Sequence, residues 1–162
     1  MFWGKKKEGE KKVNENLVNP KDVDFIYRGI VEICEANRQE SEPKSIVVQK
    51  IQEGLAKKEV ILAYEGDEPA AFLWFSLTKK VPFGVNYGEK KERFCWINWA
   101  YSKRNLRKKG YGSSLFEELE KICMENGVRR ILLDSFACNH DAQRFIEHLN
   151  YQPLVVIYQK RF

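Results

Sequence analysis

Apolar residues recur at helical spacing in three parts of the chain. The first part follows a turn at residues 19–22, the second precedes Gly127, and the third follows Asn139. Their apolar positions are Phe25, Ile26, Ile30 and Ile33; Leu115, Phe116, Leu119, Ile122 and Cys123; and Ala142, Phe145, Ile146 and Leu149. A further short helix is expected over about residues 44–57. The pattern therefore predicts four helices.

Continuous apolar runs predict the strands. Two such runs flank the turn Glu65-Gly66-Asp67-Glu68, which indicates a hairpin. Further strands are expected near residues 13–18, 94–101, 128–134 and 153–159. Six strands and four helices in the order β-α-α-β-β-β-α-β-α-β predict an α+β fold with a mixed central sheet flanked by helices.

Length and composition favour one domain. The chain has 162 residues, of which 43% are hydrophobic. Residues 1–12 have the composition of a basic, solvated tail, and residues 13–162 are expected to form the domain. The sequence contains no apolar run of membrane-spanning length and no signal-peptide pattern, which predicts a cytoplasmic protein without membrane contact.

Charge and cysteine content narrow the chemistry. A formal net charge of +5 favours an anionic ligand. The four cysteines form no CxxC pair and the chain has two histidines, so no metal site is expected. The cysteines are interpreted as small apolar residues of a reduced protein.

The segment NLRKKGYGSSLFEELEKI, residues 105–122, places glycines and positive charge before a helix. Unpaired N–H groups at a helix N-terminus bind anions, and Gly110 and Gly112 would leave room for an anion to approach them. The alternative is an ordinary glycine turn, because Ser114 and Glu117 fit a capping box that would start the helix later. The segment alone leaves both interpretations open.

The pattern R-K-K-G-Y-G resembles the [QR]-x-x-G-x-[GA] signature of the GCN5-related N-acetyltransferases (GNAT). A strand precedes it and an amphipathic helix follows. The later segment ACNHDAQRFIEHLNYQP is similar to the Asn-x-x-Ala helix of that family. The resemblance covers residues 94–158 and implies an acyl-CoA N-acyltransferase fold, in which the fourth and fifth predicted strands splay apart.

The resemblance also implies transfer of an acetyl group from the cosubstrate acetyl-CoA to a primary amine of a protein N-terminus, a lysine or a small molecule. Backbone amides of the signature would bind the pyrophosphate, and the end of the preceding strand would pair with the pantetheine arm. The implied coenzyme-binding residues are Ala100, Tyr101, Ser102, Arg107, Lys108, Lys109, Gly110, Tyr111, Gly112, Ser113 and Asn139.

Three positions depart from the family pattern. Arg104 stands where many members have proline, and Asn150 replaces a frequent glycine. Ile146 occupies the position of the tyrosine that protonates the leaving thiolate. Because a thiol has a pKa near 8.5, its thiolate leaves at neutral pH without obligatory protonation. Tyr158 is the candidate acid, with the alternatives Tyr101, Tyr151, Cys138 and His140.

Asp134 is the candidate base that takes the proton of the amine. It ends a predicted strand five residues before Asn139, and ribosomal-protein-type N-terminal acetyltransferases of the family have a glutamate at the matching place. The alternative is a structural carboxylate paired with Arg129 or Arg130. Asn98, a polar residue among aromatics, would order a water or bond to backbone.

Two other functions stay open. Ile146 is compatible with a protein that binds coenzyme A without acetyl transfer. A nucleic-acid-binding protein is disfavoured, because 23 acidic residues accompany the basic ones and no nucleic-acid-binding motif is present. The sequence does not identify the amine, and it leaves the oligomeric state open, a homodimer included.

Overall fold

The computed structural model describes residues 18–80 and 92–160. Its helices are α1 (Pro20–Ala36), α2 (Lys44–Ala56), α3 (Tyr111–Glu125) and α4 (His140–His148), and its strands are β1 (Val60–Glu65), β2 (Glu68–Thr78), β3 (Phe94–Ser102) and β4 (Ile131–Leu132). All four predicted helices are confirmed. The basic tail and nearly all of the strand predicted near residues 13–18 lie outside the described residues.

The strands form one mixed sheet in the order β1-β2-β3-β4. β1 and β3 pair antiparallel with β2, and β4 pairs parallel with β3. The predicted hairpin joins β1 to β2, and Gly66 supplies the positive φ of +61° that its tight turn requires. The mixed sheet flanked by helices is therefore confirmed.

The two faces of the sheet bury different helices, because alternate residues of a strand point to opposite faces. Phe72 of β2 packs with the apolar stripe of α1 and with α2. Its neighbours Ala71 and Leu73 pack with the opposite cluster, which contains the stripe of α3. Residues predicted from helical spacing, such as Ile26 and Leu119, are fully buried in these two cores.

The prediction of a final strand near residues 153–159 is wrong. Residues 151–160 have no regular secondary structure, and the side chains of residues 154–158 are between 51% and 88% exposed. Runs such as Leu-Val-Val-Ile-Tyr favour strands because they pack well on a paired, half-buried surface. No described strand pairs with this segment, so the propensity alone does not make a strand.

The strand predicted near residues 128–134 is also shorter than expected, because β4 contains only Ile131 and Leu132. Val128, at the start of the prediction, is buried in the α3 core without belonging to the strand. An apolar side chain at this position therefore reflects burial in the core and not membership of a strand.

Candidate functional site

The loop between β3 and α3 contains the glycine-rich basic segment. It begins with one turn of 3-10 helix, Arg104–Leu106, and the buried Leu106 side chain anchors this turn. The backbone then has positive φ at Lys108 (+64°) and at Gly110 (+90°). Positive φ at a non-glycine residue such as Lys108 costs about 1–3 kcal/mol, and such strain is concentrated at functional sites.

Helix α3 starts without a side-chain cap. Gly110 is the N-cap residue, and the first backbone hydrogen bond of the helix runs from Ser114 N to Gly110 O (3.0 Å). The N–H groups of Tyr111, Gly112 and Ser113 therefore have no acceptor inside the helix. By contrast, Asn19 and Asn139 accept hydrogen bonds that cap α1 and α4.

The capping-box alternative for Ser114 and Glu117 is wrong. The helix begins at Tyr111, and the Ser114 hydroxyl donates a hydrogen bond to the Tyr111 carbonyl at 2.9 Å. Ser114 is thus a residue of the first turn, and the helix N-terminus lies beside Gly110, as the anion-binding interpretation requires.

Gly112 also has a packing role that the sequence did not predict. A Cβ built on it would lie 3.1 Å from Cζ of Phe145 on α4 and 3.7 Å from Oγ of Ser102. Its missing side chain therefore allows α3 to approach α4. At Gly110 a Cβ would meet no atom within 4 Å, so this glycine is needed for its backbone conformation.

Ion pairs and a hydrogen bond hold two basic residues of the loop. Arg107 Nε donates to the Ser102 carbonyl (3.3 Å), at the end of β3. Lys109 Nζ lies 3.1 Å from a carboxylate oxygen of Glu65, at the end of β1. Lys108 is exposed. These contacts fix the loop against two strands and keep positive charge at the start of α3.

Glu32 of α1 joins β3 to the same loop. Its carboxylate accepts a hydrogen bond from Tyr101 Oη (2.7 Å) and another from Arg104 Nε (2.6 Å), and Arg107 lies 3.9 Å away. The Tyr101 hydrogen bond and then the Arg104 contacts lower the pKa of Glu32. Burial and then Glu32 raise the pKa of Tyr101 to about 12, so this hydroxyl is a protonated donor at neutral pH.

The sequence did not single out Glu32, although one signal was present. Gly29 interrupts the apolar pattern of α1, and a Cβ there would lie 2.6 Å from Phe72 and 2.8 Å from Tyr101. The glycine lets α1 approach the sheet closely, which brings Glu32 to the Tyr101 hydroxyl. A glycine within an otherwise good helix pattern indicates such close packing.

A bulge interrupts β3. Trp99 lies opposite Trp74 and Ile97 lies opposite Phe75, so Asn98 is one extra residue on β3. Its side-chain Nδ2 donates to Ser76 Oγ at 2.9 Å, a partner that the sequence did not predict. Bulges redirect side chains and are common beside active sites.

The strands β3 and β4 pair only over Cys95–Ile131 and Trp96–Leu132. β3 continues to Ser102, where Ala100, Tyr101 and Ser102 lie opposite residues 71–73 of β2. These three predicted coenzyme-binding residues therefore lie beyond the described ladder to β4. The splayed arrangement of the two strands itself stays a prediction.

A cavity of about 430 Å³ lies beside the bulge, on the side of the sheet covered by α1 and α2. Asn98, Ser76 and two tryptophans line it from the sheet, and residues of the α1–α2 connection complete it. The volume is within the range of small-molecule sites.

The residues after β4 include two predicted site residues. Asp134 is exposed, two residues beyond the strand. Asn139 caps α4, because its Oδ1 accepts a hydrogen bond from Ala142 N at 3.2 Å. Cys138 and His140, on either side of it and among the alternative acids, are both exposed.

The candidate acids have different environments. Tyr158 is 88% exposed on the segment that follows α4. Tyr151 packs edge-to-face on Phe116, and burial raises the pKa of its hydroxyl. Ile146, at the position of the family tyrosine, is half-buried on α4. Asn150 has a left-handed φ of +64°, in agreement with its place at a frequent glycine position.

Over residues 18–80 and 92–160, no group of three or more His, Cys, Asp and Glu side chains is arranged to hold a metal ion. Three cysteines are buried, in agreement with their interpretation as core residues, and Cys138 is exposed. In the same ranges no helix is long and apolar enough to cross a membrane.

Solved structures share this fold at low sequence identity. The apo aminoglycoside antibiotic 6'-N-acetyltransferase AAC(6')-IG from Acinetobacter haemolyticus has a TM-score of 0.66 and 18% identity, covering 90% of this chain and 96% of that one. AAC(6')-Iy in complex with the bisubstrate analog CoA-S-monomethyl-acetylneamine has a TM-score of 0.65 and 14% identity (90% and 95% covered). Ribosomal-protein-alanine N-acetyltransferase from Brucella melitensis biovar Abortus 2308 has a TM-score of 0.62 and 15% identity, covering 90% of this chain and 96% of that one.

No curated protein sequence matches the chain significantly. The sequence model of the acetyltransferase (GNAT) family matches residues 26–151, which is most of the chain and includes the loop, α3 and α4. The chain therefore belongs to the acetyltransferase (GNAT) family.

Proposed function

We propose that the protein transfers an acetyl group from acetyl-CoA to a primary amine of a protein N-terminus, a lysine or a small molecule. The observation that carries the proposal is the uncapped N-terminus of α3. This terminus has three backbone N–H groups without an intrahelical acceptor and the positive end of the helix dipole. Arg107 and Lys108 lie nearby in the chain. Such a site suits the negative charges of a pyrophosphate.

The residues present fit acetyl-CoA. The amides of Tyr111, Gly112 and Ser113 would hold its phosphates, with Arg107 and Lys108 adding charge. The backbone of β3 from Ala100 to Ser102 would pair with the pantetheine arm. Asn139 uses Oδ1 for its own helix cap, which leaves Nδ2 to donate to the same arm. The coenzyme would supply the acetyl group as a thioester, and the coenzyme A analogue bound by AAC(6')-Iy supports this assignment.

Transfer would form a bond between the amine nitrogen and the acetyl carbon and break the carbon–sulfur bond of the thioester. One proton must leave the nitrogen before or during this step. We assign its removal to Asp134, directly or through a water. The exposed position of the carboxylate after β4 is compatible with this role.

A protein that binds coenzyme A without acetyl transfer is the second candidate function. The observation that favours it is Ile146, which has no proton to donate. Thiolate departure does not require an acid at neutral pH. If the thiolate is protonated on leaving, we assign the donor to Tyr158, which is 88% exposed, with Tyr101, Tyr151, Cys138 and His140 as the alternatives.

Titration calorimetry with coenzyme A, followed by thiol release from acetyl-CoA with a panel of amines, tests the proposal. We expect saturable coenzyme A binding and amine-dependent thiol release. Absence of coenzyme A binding at millimolar concentration would exclude the proposed function. Binding without thiol release with any amine would favour the second candidate.

A further inference from the structure

The cavity beside the Asn98 bulge has an unusual charge for this protein. Among the described residues that line it, three are acidic (Glu40, Glu42 and Glu59) and one is basic, Lys50. Three carboxylates and one ammonium leave two negative charges, whereas the whole chain has a formal net charge of +5. Clefts lined by one sign of charge concentrate ligands of the opposite sign.

One of these carboxylates already has a partner. Lys50 Nζ on α2 lies 2.6 Å from Glu42 Oε2 in the connection between α1 and α2. Glu40 lies in the same connection, and Glu59 lies immediately before β1. The two remaining carboxylates therefore come from different parts of the chain. Their negative charge at the cavity is therefore not offset by Lys50.

The sheet side of the cavity is aromatic. Trp74 on β2 and Trp99 on β3 lie opposite each other in the ladder and both line the cavity. Gly54 of α2 seats the helix on the Trp74 indole, because a Cβ there would lie 2.9–3.0 Å from Cε2, Cζ2 and Nε1. Indole faces attract organic cations, and a ring held by a helix is a fixed surface for this contact.

The cavity also has a polar end at the bulge. The amide of Asn98 donates to Ser76 Oγ, and both residues line the cavity next to Trp99. The three coenzyme-binding residues predicted on β3 follow Trp99 directly. A ligand in the cavity would therefore lie beside the strand that is expected to hold the coenzyme arm.

From these features we infer that the cavity binds the amine acceptor, and that the acceptor is a small aliphatic diamine or polyamine. This inference rests on the proposed acetyl transfer. The reacting amine lies at the Asn98 end, and a second ammonium group contacts the carboxylates of Glu40 and Glu59. The tryptophans contact the aliphatic chain and the cation. An amine with a neutral tail fills the same space without this charge contact.

The test compares 1,5-diaminopentane with pentylamine, which differ by the second amine. Binding is measured by calorimetry on the full chain with and without coenzyme A, and turnover by thiol release from acetyl-CoA. We expect the diamine to bind at least about tenfold more tightly, or about 1.4 kcal/mol. We also expect this preference to decrease as ionic strength rises from about 0.01 M to about 1 M, where screening is strong.

Three substitutions locate the charge contact. Glu59→Gln and Glu40→Gln should each reduce the diamine preference about three- to tenfold, with little effect on pentylamine. Glu35→Gln removes one charge from an exposed α1 position outside the cavity lining and should leave the preference unchanged. Because Glu40 is exposed, its variant gives a readout even if the half-buried Glu59 position affects folding.

Equal affinity for the two amines, or equal effects of Glu59→Gln, Glu40→Gln and Glu35→Gln, would overturn the inference. Absence of coenzyme A binding would instead overturn the proposed function, and diamine binding to the protein alone would still test the cavity. The two failures are therefore distinguishable.

Discussion

Replacing Gly110 with alanine separates a role in coenzyme binding from a role in folding. A Cβ at this position meets no atom within 4 Å, so the substitution introduces no clash. Its cost comes from the backbone, since φ is +90° and an L-residue pays about 1–2 kcal/mol in the left-handed region. For a chain of this size that corresponds to a decrease in Tm of about 2–8 °C.

Gly127 supplies a matched control at the other end of α3. Its φ is +67°, and a Cβ there also meets no atom within 4 Å. Gly127→Ala should therefore lower the free energy of unfolding by a similar amount. It lies after the C-terminus of the helix, away from the amides assigned to the phosphates.

The two variants should differ in coenzyme A affinity. Relaxation of the backbone at residue 110 would turn the N–H groups of Tyr111 and Gly112 away from the anion. Losing one hydrogen bond to a charged group costs about 1.5–3 kcal/mol, which raises Kd about ten- to hundredfold. Calorimetry gives Kd and urea denaturation gives stability for both. An unchanged Kd in a folded Gly110→Ala protein would refute the anion-binding role of this helix terminus.

Three further predictions concern side chains around the site. Because Tyr101 and Arg104 lower the pKa of Glu32 below 4.5, its contribution to stability is present above that pH and is lost as pH falls through its lower folded-state value. As the pH is lowered, the free energy of unfolding of Glu32→Gln, measured by urea denaturation, should therefore decrease less than that of the wild type. An identical pH dependence of the two proteins would contradict this. Ile146→Tyr should lose about 1–3 kcal/mol through overpacking on half-buried α4 and turn over modestly more slowly than wild type; a large gain in kcat would show that an acid is missing. Asp134→Asn should shift or flatten the rise of rate with pH, and an unchanged profile would remove Asp134 from the mechanism.

Local pattern was sufficient for the elements whose apolar faces are buried. The stripe of α3 was predicted from spacing, and Leu115, Phe116, Leu119 and Cys123 are indeed buried. The hairpin followed from the turn residues around Gly66, and the left-handed backbone of Asn150 agrees with its place at a frequent glycine position of the family. In each case the deciding interactions are within one element or its end.

Features that depend on distant residues were not predicted. The bulge at Asn98 is visible only from the pairing of β3 with β2, and the position of Glu32 depends on the contact of Gly29 with two aromatic rings. The start of α3 was ambiguous because Ser114 fits a capping box equally well. The exposed segment at residues 154–158 has strand propensity without a described partner strand.

The central claim is that the N-terminus of α3 holds the phosphates of coenzyme A. A titration of the ¹⁵N-labelled protein with coenzyme A, followed by amide NMR, tests it most directly. The account predicts that the largest shift changes occur at Tyr111, Gly112 and Ser113, with smaller changes along β3. Saturable binding that leaves these three amides unshifted would contradict it.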